Sequence, residues 1–364
     1  MNKIVLIHNI ISPHTFPVFT ELGKRVNLTV LYCAEKEENR IWKEKPKSFK
    51  YKILPNFSIK FKGSDLFTYF INLSIFKELN SLKPEIVIIS GWDLFAYQAA
   101  FFYCKLRKIK IILWSGSTKY ETSWRRTISK PLVKLIVNGS DAYIAYGTRA
   151  KEYLISLGAN PNKIFISFNT TGIGKYSKLC VKYKREHKPT IVYYGQLIER
   201  KGADILIKAF FKLKGEFGNA KLLIIGSGQY KKSLEQLVGK LKLSDVKFID
   251  NPGDDDVCKY YAVSDILVLP SREEVWGLIV NQAMACGLAV VVSDICGSSV
   301  DLVKDGVNGY VFKSENVNDL SNKLMKIIID KRLLEKMKDN SRKFIEKFTP
   351  EKVVKGVIEA IESV

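Results

Sequence analysis

Residues 266–287 read ILVLPSREEVWGLIVNQAMACG, and this stretch decides the fold class of the second half of the chain. The run 266–269 is apolar and as short as a buried strand, and Pro270 ends it because proline cannot donate to a sheet ladder. Gly277 then precedes an apolar segment of helical length. We therefore predict a buried strand, an exposed acidic loop and a helix.

The start of this helix predicts an anion site. Gly277 lets the backbone approach a ligand closely. The free N–H groups of the following turn lie at the positive end of the helix dipole, which favours a diphosphate. Glu274 lies beside these groups in the sequence. A glycine at a helix start is weak evidence alone, so the argument needs the neighbouring residues.

The same segment resembles the Glu-x7-Glu signature of the retaining glycosyltransferases of family 4, which usually reads like EPFGLVVLEAMACGLPV. Aligning Gly277 and residues 283–287 places Glu274 at the first Glu and Gln282 at the second. The resemblance implies that the first carboxylate contacts the transferred sugar and the second accepts hydrogen bonds from the ribose hydroxyls. Gln282 departs from this pattern, since an amide oxygen lacks the charge that strengthens such bonds.

A second segment, 195–202, resembles the family's G-R-L-x-x-x-K-G motif, in which an Arg and a Lys bind the donor diphosphate. Lys201 matches the Lys. Gln196 stands where the Arg is usual, although Arg200 is close enough in sequence to compensate. A solvated turn is the alternative for this segment alone, but its order relative to residues 274–287 favours the donor site.

Two further turns complete the expected donor pocket. Residues 225–228 resemble the I-G-x-G turn of the family, in which Gly226 and Gly228 keep the floor of the pocket open. Asn251 and Pro252 follow the next strand, where the family reads the nucleobase through backbone groups. Backbone recognition leaves the identity of the base nearly invisible in the sequence.

Length and composition predict a globular protein of two domains. The chain has 364 residues, 46% of them hydrophobic and 26% charged. No apolar run approaches the roughly 18–20 residues that span a bilayer. The apolar start at residues 3–7 is too short for a secretory signal, so we expect a cytoplasmic location. Six cysteines without a C-x-x-C pair predict reduced, mostly buried thiols with no disulfide framework and no metal site.

The positive charge is concentrated in the first half. The net charge is +21, and residues 1–180 contain 28 Lys and Arg against 12 Asp and Glu. Basic and aromatic residues alternate in 101–110 and 124–134, which suits an interfacial helix on anionic lipid. Solvated helix faces are the alternative. A nucleic-acid groove would fit the charge, but no nucleic-acid-binding signature is present. We predict a peripheral position on the inner face of the cell membrane.

Short apolar runs alternate with helix-length segments, which predicts two doubly wound parallel sheets. The predicted strands are 3–8, 28–32, 86–90, 109–114, 142–146 and 164–168, then 190–195, 221–226, 246–250, 265–269, 289–293 and 309–312. The resemblance implies the two-Rossmann-domain GT-B fold. We predict domains at 1–175 and 189–345, an exposed linker from Tyr176 to Pro189, and a C-terminal helix within 346–364 that packs on the N-terminal domain.

The run Asp254–Asp256 invites a D-x-D metal site, since carboxylates bind Mg²⁺ or Mn²⁺. A helix start explains the run equally well, because acidic residues there favour the dipole. The resemblance implies a transferase that works without a metal. We therefore expect no metal and no cofactor.

The sequence gives weaker signals for the residues that bind the acceptor. The loop 10–17 joins the first strand to a helix at the edge where a doubly wound sheet binds ligands. His8, Ser12 and His14 are candidates for orienting an acceptor, although a lone histidine is more often structural. Ser115 ends another strand, at a position where relatives often have a histidine and this chain has none.

The sequence therefore predicts a retaining glycosyltransferase that moves a sugar from a nucleotide-sugar, with UDP-sugar expected, to a hydroxyl of a lipid-linked saccharide or other cell-surface glycan precursor. The predicted catalytic residues are Glu274, Lys201 and Arg200, and the predicted donor-binding residues are Gly195, Gln196, Gly226, Gly228, Asn251, Pro252, Trp276, Gly277, Leu278 and Gln282. Two alternatives stay open, a non-catalytic nucleotide-sugar-binding protein and a GT-B nucleotide-sugar epimerase.

Overall fold

The computed structural model describes residues 2–37, 45–61, 67–121, 124–181, 183, 188–252 and 256–364. The strands are β1 Lys3–Ile10, β2 Asn27–Ala34, β3 Lys50–Ile53, β4 Phe57–Phe61, β5 Phe67–Ile71, β6 Ile86–Ile89, β7 Lys110–Ser115, β8 Ala142–Ala145, β9 Ile164–Ile166, β10 Thr190–Tyr194, β11 Lys221–Ile225, β12 Val246–Ile249, β13 Ile266–Leu269, β14 Ala289–Ser293 and β15 Gly309–Phe312. The helices are α1 Phe16–Gly23, α2 Ile75–Leu82, α3 Phe95–Arg107, α4 Trp124–Gly139, α5 Thr148–Ser156, α6 Ile173–Cys180, α7 Ala203–Glu216, α8 Lys231–Lys240, α9 Val257–Ala262, α10 Leu278–Ala285, α11 Ser299–Leu302, α12 Val317–Ile329, α13 Lys331–Ile345 and α14 Pro350–Glu362.

The chain divides into two compact units. Unit 1 comprises Met1–Thr171 and Pro350–Val364, and unit 2 comprises Gly172–Thr349. Each unit is built on its own parallel sheet with helices on both faces. The sequence placed the boundaries of these domains at 175 and 189.

Unit 1 contains a seven-stranded parallel sheet in the order β3-β2-β1-β6-β7-β8-β9. Successive side chains of β1 enter opposite cores, as strand geometry requires. Val5 and Ile7 join the core on one face, and Ile4 and Leu6 join the core on the other. All four residues of β6 are buried. Such continuous apolar strands are stable only because both faces of the sheet are covered.

The C-terminal helix α14 belongs to unit 1. It begins at Pro350, where the cap-plus-proline pattern predicts a helix start, and packs against β8, β9 and α1. Gly356 allows close contact, since a Cβ there would lie 2.1 Å from the carbonyl oxygen of Ile166. Ser167 donates a hydrogen bond from Oγ to the carbonyl of Val353 at 3.0 Å. The last segment of the chain thus completes the core of the first unit.

Unit 2 contains a six-stranded parallel sheet in the order β12-β11-β10-β13-β14-β15. The strand order reverses between β10 and β13, which pair in parallel. A crevice opens at the carboxyl ends of the strands at such a switch point, and ligands of open α/β sheets bind there. The apolar face of α7, with Leu206, Ala209, Phe210 and Leu213 at helical spacing, is buried. In α8 only Leu234 of the predicted apolar face is fully buried.

Every predicted strand is present, with ends shifted by at most two residues. The sequence missed β3, β4 and β5, which are short and lack a buried apolar run. The expectation of an exposed linker from Tyr176 is wrong for its first residues. Ile173–Cys180 forms α6, which packs on α9 and α10, and Tyr176 is buried. The basic composition of the segment concealed this apolar face.

The expectation of six reduced cysteines is also wrong for one pair. Cys180 and Cys286 form a disulfide, although they are 106 residues apart. They meet because α6 packs against α10, a contact that spacing along the chain does not reveal. The other four cysteines are buried and form no disulfide.

Candidate active site

The centre of the candidate site is an ion pair between Lys201 and Glu274. Lys201 follows β10 on a short 3₁₀ helix, and Glu274 lies in the loop after β13. Because β10 and β13 flank the switch point of unit 2, the two side chains meet at its crevice. Both are largely shielded, with 16% and 15% of the side chains exposed. The structure thus brings together two of the three predicted catalytic residues.

Arg272 fixes the two loops relative to each other. Its guanidinium donates two hydrogen bonds to the carboxylate of Asp204, at 2.8 and 3.0 Å, and a third to the carbonyl of Glu199 at 2.7 Å. Its backbone N–H donates to the carbonyl of Arg200 at 2.8 Å. A bidentate guanidinium–carboxylate pair has a defined geometry. The turn that carries Lys201 is therefore held in register with the loop that carries Glu274.

The electrostatics of the Arg272–Asp204 pair favour the charged forms of both side chains. Burial alone would raise the pKa of Asp204, but hydrogen bonds from Arg272 and Lys208 more than offset it and lower that pKa below its ordinary value. The hydrogen bonds to Asp204 raise the pKa of Arg272 in turn. Sequence reasoning missed Asp204 and Arg272. In the sequence, Arg272 was recognisable only as a charged residue two positions before Glu274.

Gly277 is the N-cap of α10 and has a positive φ of 90°. A Cβ at this position would lie 2.4 Å from a side-chain carbon of Leu269. The helix therefore begins directly above the end of β13, and its first N–H groups lie beside the Glu274 loop. The predicted donor residue Leu278 opens the helix, and no acidic side chain lies in its first turn. This arrangement suits an anion, because the positive end of the dipole is not compensated.

A second glycine turn adjoins the first strand of unit 2. Gly226 has a φ of 144°, and a Cβ there would lie 1.9 Å from the carbonyl oxygen of Gly195. The N–H of Leu197 donates to the carbonyl of Ser227 at 2.8 Å. The two predicted segments, 195–202 and 225–228, thus pack backbone against backbone at the carboxyl edge of the sheet. Gly228 lies in the same contact, since its Cβ would meet the carbonyl of Leu197 at 2.3 Å.

Gln282 is buried, and its amide is engaged within unit 2. Its Nε2 donates to the hydroxyl of Tyr176 at 2.8 Å, and its Oε1 accepts from the hydroxyl of Tyr261 at 3.2 Å. A ribose contact by this amide would require exchange of these bonds. Trp276 is buried as well, and its indole N–H donates to Asn281 at 2.9 Å. In this structure both side chains therefore support α10 from within the unit.

The remaining predicted donor residues lie at the same edge with partial exposure. Gln196 accepts a hydrogen bond at its backbone oxygen from the hydroxyl of Tyr193 at 2.9 Å. Asn251 is exposed, and its Oδ1 lies 3.4 Å from the hydroxyl of Tyr194. Pro252 follows it and is partly buried. These placements leave their roles as predictions.

A loop that the sequence did not single out also supports the site. The N–H of Gly297 donates to the carbonyl of Glu274 at 3.0 Å, and the N–H of Ser298 donates to the carbonyl of Trp276 at 3.2 Å. A Cβ on Gly297 would lie 1.8 Å from the carbonyl oxygen of Val275. Gly297, four residues after β14, was the available signal, since a glycine can mark a close backbone approach.

Unit 1 has a pocket of its own at the carboxyl edge of its sheet. It is a small cavity of about 20 Å³, and the residues that line it include His8, Thr15, Phe19, Trp114, Tyr146 and Phe168. We refer to it as the His8 pocket. Of the acceptor-side residues predicted from the sequence, His8 lines it, whereas Ser12, His14 and Ser115 do not. Ser115 is buried, and its Oγ accepts from the N–H of Ser117 at 3.2 Å.

His8 is neutral at physiological pH. Burial lowers its pKa to about 4, and a hydrogen bond with the side chain of Asn9 opposes the shift only partly. Its Nδ1 accepts from the backbone N–H of Asn9 at 2.9 Å. A neutral imidazole that accepts at Nδ1 carries its proton on Nε2.

Metal ligation finds no support in the described ranges. They contain no group of three His, Cys, Asp or Glu side chains placed to hold a metal ion. Asp254 and Asp255 lie outside the described residues. Asp256 precedes α9 and lies 3.7 Å from Lys259.

The family model for glycosyl transferases group 1 matches residues 181–344. An uncharacterized glycosyltransferase of Haemophilus influenzae is 32% identical over 296 residues, which cover 78% of this chain and 80% of the relative. An uncharacterized glycosyltransferase of Methanocaldococcus jannaschii is 27% identical over 248 residues, covering 63% and 67%. The crystal structure of Anabaena HepE in complex with UDP has a TM-score of 0.77 at 17% identity and covers both chains fully.

Two units of this kind, each built on a parallel sheet, define a GT-B glycosyltransferase fold. The chain belongs to the glycosyl transferases group 1 family. The expectations drawn from residues 274–287 on family and fold are thereby confirmed.

Proposed function

We propose that this glycosyltransferase moves a sugar from a UDP-sugar to a hydroxyl of a lipid-linked saccharide or other cell-surface glycan precursor, with retention of anomeric configuration. The Lys201–Glu274 pair beside the start of α10 is the observation that carries the proposal. The UDP bound in the structure of Anabaena HepE supports the choice of donor.

The chemistry is a displacement at the anomeric carbon. The bond between that carbon and the diphosphate oxygen breaks, and the acceptor oxygen bonds to the same face of the sugar and passes its proton to the departing diphosphate oxygen. Negative charge develops on the departing diphosphate. Lys201, Arg200 and the N–H groups of the first turn of α10 stabilise this charge, while Glu274 holds the sugar.

In this proposal the positive groups of the chain take the role that a metal has in other transferases. Lys201 lies at the crevice, and the uncompensated helix start of α10 adjoins it. The reaction therefore needs no metal cofactor.

We further propose that the protein acts at the inner face of the cell membrane. On α3, Phe102 and Leu106 lie one turn apart and are 50% and 82% exposed. Lys105, Arg107 and Lys108 surround them. Exposed apolar side chains within a basic surface fit an anionic bilayer. Among the described residues, no helix has the length and hydropathy for a bilayer crossing.

Co-sedimentation with vesicles tests the membrane proposal. Binding is expected to vesicles with anionic phosphatidylglycerol and not to pure phosphatidylcholine, and the variant Phe102→Ser/Leu106→Ser should bind several-fold less. A matched variant at Phe211→Ser, which is 46% exposed in unit 2, should bind like the wild type. Equal binding to both lipids, or equal binding by the α3 variant, would overturn the membrane proposal.

The function is tested by release of free nucleotide from a panel of UDP-, GDP- and ADP-sugars, with and without a membrane lipid extract. Selective UDP release, stimulated by lipid, is expected. An anomeric NMR assignment of the product then reports retention or inversion. Binding of UDP without release from any donor would favour a non-catalytic binding protein. Conversion of the free nucleotide-sugar without an acceptor would favour the epimerase.

A further inference from the structure

Helices α6 and α10 are joined by two neighbouring contacts. A disulfide links Cys180 to Cys286. One turn earlier on each helix, Nε2 of Gln282 donates a hydrogen bond to the hydroxyl of Tyr176 at 2.8 Å. In both helices the two positions are four residues apart, and residues at this spacing lie on the same helix face. The disulfide therefore holds α6 in the register at which Tyr176 reaches Gln282.

These contacts close off the amide of Gln282. Its Oε1 accepts from the hydroxyl of Tyr261 at 3.2 Å while its Nε2 is bound to Tyr176, and the residue is only 2% exposed. Tyr176 is itself buried. A ribose hydroxyl therefore reaches Nε2 only when α6, which carries Tyr176, moves away from α10. The position at which the sequence predicts a ribose contact is closed in the disulfide-bonded form.

Helix α6 depends on the disulfide for part of its attachment. It has only eight residues, and Cys180 is the last of them. The next residue, Val181, is 83% exposed, so the disulfide lies at the solvent end of the helix. Short helices are marginal without tertiary contacts, and helix ends open locally. Local opening at this end gives a thiol access to the disulfide, and cleavage leaves only noncovalent contacts to hold α6.

We propose that the Cys180–Cys286 disulfide is a redox switch on the donor site: a dithiol reductant cleaves it, α6 moves away from α10, and Gln282 becomes available to the ribose of the donor. The inference rests on the proposed function for the identity of that ligand. The proposed position at the inner face of the cell membrane agrees with such a switch, because disulfides in reducing compartments are usually transient and redox-sensing.

The exchange balances with the dithiol as the only co-reactant. A thiolate of the dithiol attacks one sulfur of the disulfide, and the other sulfur leaves as a thiolate, which gives a mixed disulfide. The second thiol of the dithiol then displaces the remaining cysteine. The dithiol leaves as a disulfide, and its two protons end on Cys180 and Cys286.

UDP binding to the full chain tests the switch. Isothermal titration calorimetry compares the disulfide-bonded protein with the protein reduced by dithiothreitol, and intact mass spectrometry after alkylation verifies the state of each sample. The reduced form should bind UDP about three- to tenfold more tightly, the value of one hydrogen bond. Reoxidation should restore the weaker binding. Equal affinity of the two forms, or unfolding on reduction as seen by circular dichroism, would overturn the inference.

Variants at each contact locate the effect. Cys180→Ser/Cys286→Ser should bind UDP like the reduced wild type, with or without dithiothreitol. Tyr176→Phe should do so with the disulfide intact, because it removes the group that holds Nε2. The matched control Cys104→Ser changes a buried cysteine of unit 1 that forms no disulfide, and it should keep the full redox response.

Gln282→Ala asks whether the amide transmits the response. It should bind UDP equally in both redox states, at the affinity of the disulfide-bonded wild type. A redox response that persists in Gln282→Ala or in the double serine variant would contradict the inference, and so would its loss in Cys104→Ser.

Hydrogen exchange separates this inference from the proposed function, because it needs no nucleotide. Exchange of the α6 amides should become faster on reduction and should be equally fast in the double serine variant. If UDP-sugar is turned over while UDP binding and α6 exchange ignore the redox state, the switch is wrong and the transferase proposal stands. If α6 exchange follows the redox state and no nucleotide-sugar is bound or turned over, the proposed function is wrong and the redox release of α6 stands.

Discussion

Lys201 and Glu274 come from loops on neighbouring strands and neutralise each other in this structure. A diphosphate would compete for the ammonium group and free the carboxylate to contact the sugar. In the proposed function, the pair therefore links donor binding to the position of Glu274.

Replacing Glu274 should abolish most turnover. We expect Glu274→Gln to lower the rate of transfer by about 10²–10³-fold, because a positioned charge at the reacting centre is lost. The control Asp339→Asn removes one partner of an exposed pair with Arg342 in the same unit and should leave the rate unchanged. The measurement is the rate of UDP release at saturating donor. Near-normal turnover of Glu274→Gln would refute the assignment.

His8 should make the fold sensitive to acid. Its folded pKa of about 4 lies below the ordinary value of 6.5, so between these pH values only the unfolded chain binds the proton. Stability is then full above pH 6.5 and falls as the pH drops towards 4. The loss attributable to this group is on the order of 3 kcal/mol at pH 4.

The variant His8→Gln should lack this contribution. Urea unfolding at pH 7 and pH 4.5 measures the effect, and the decrease in free energy of unfolding should be smaller in the variant. The Asp and Glu carboxylates titrate equally in both proteins, so their contributions to the pH dependence cancel in the comparison. An identical pH dependence in the two proteins would contradict the burial of a neutral His8.

At the scale of elements, glycine turns decide how closely the loops of the donor site approach. Gly226 contacts the backbone of Gly195, which cannot move aside as a flexible side chain can. We expect Gly226→Ala to destabilise the protein by about 2–4 kcal/mol through the steric overlap and the positive φ.

The contrasting substitution is Gly239→Ala within α8, where nothing lies within 4 Å of the added Cβ. It should stabilise the protein by roughly 0.5–1 kcal/mol, since alanine loses less backbone entropy in a helix. Thermal unfolding of both variants checks the pair. Similar melting temperatures for the two would show that the contact with Gly195 relaxes at little cost.

The contact between α6 and α10 predicts a chemical result. Alkylation of the denatured, unreduced protein should modify four cysteines, and reduction should expose Cys180 and Cys286 as two more. Intact mass spectrometry gives the count directly. Six modified cysteines without reduction would favour the sequence-based expectation of free thiols.

On the scale of the whole molecule, the two units carry different charges and different proposed tasks. Residues 1–180 hold 28 of the 58 Lys and Arg but only 12 of the 37 Asp and Glu. Unit 1 therefore carries most of the net positive charge and the exposed Phe102 and Leu106 of α3. Unit 2 carries the predicted donor-binding residues. This division matches a membrane-facing acceptor unit and a nucleotide-sugar unit in the proposed function.

The proposed metal independence can be tested on the whole reaction. With EDTA present, transfer should continue at an unchanged rate, and Mg²⁺ or Mn²⁺ should not raise it, because positive side chains and helix N–H groups stabilise the leaving diphosphate. Inhibition by EDTA that Mn²⁺ reverses would contradict this expectation. It would direct attention to the acidic run at 254–256.

The sequence alone determined twelve of the fifteen described strands, the family and the order of the predicted donor motifs. These features depend on local patterns: apolar runs in β10–β15, the glycine of a close turn at Gly277, and residue types at fixed spacing in 195–202 and 274–287. Local patterns are visible in sequence because their cause lies within a few residues.

Only the tertiary structure decided which groups each side chain contacts. It placed Gln282 between Tyr176 and Tyr261, joined Cys180 to Cys286, and gave Arg272 its partner Asp204. It also selected His8 over His14 for the pocket of unit 1. Such contacts join residues far apart in the chain and arise from the packing of whole helices and strands, so no local pattern records them.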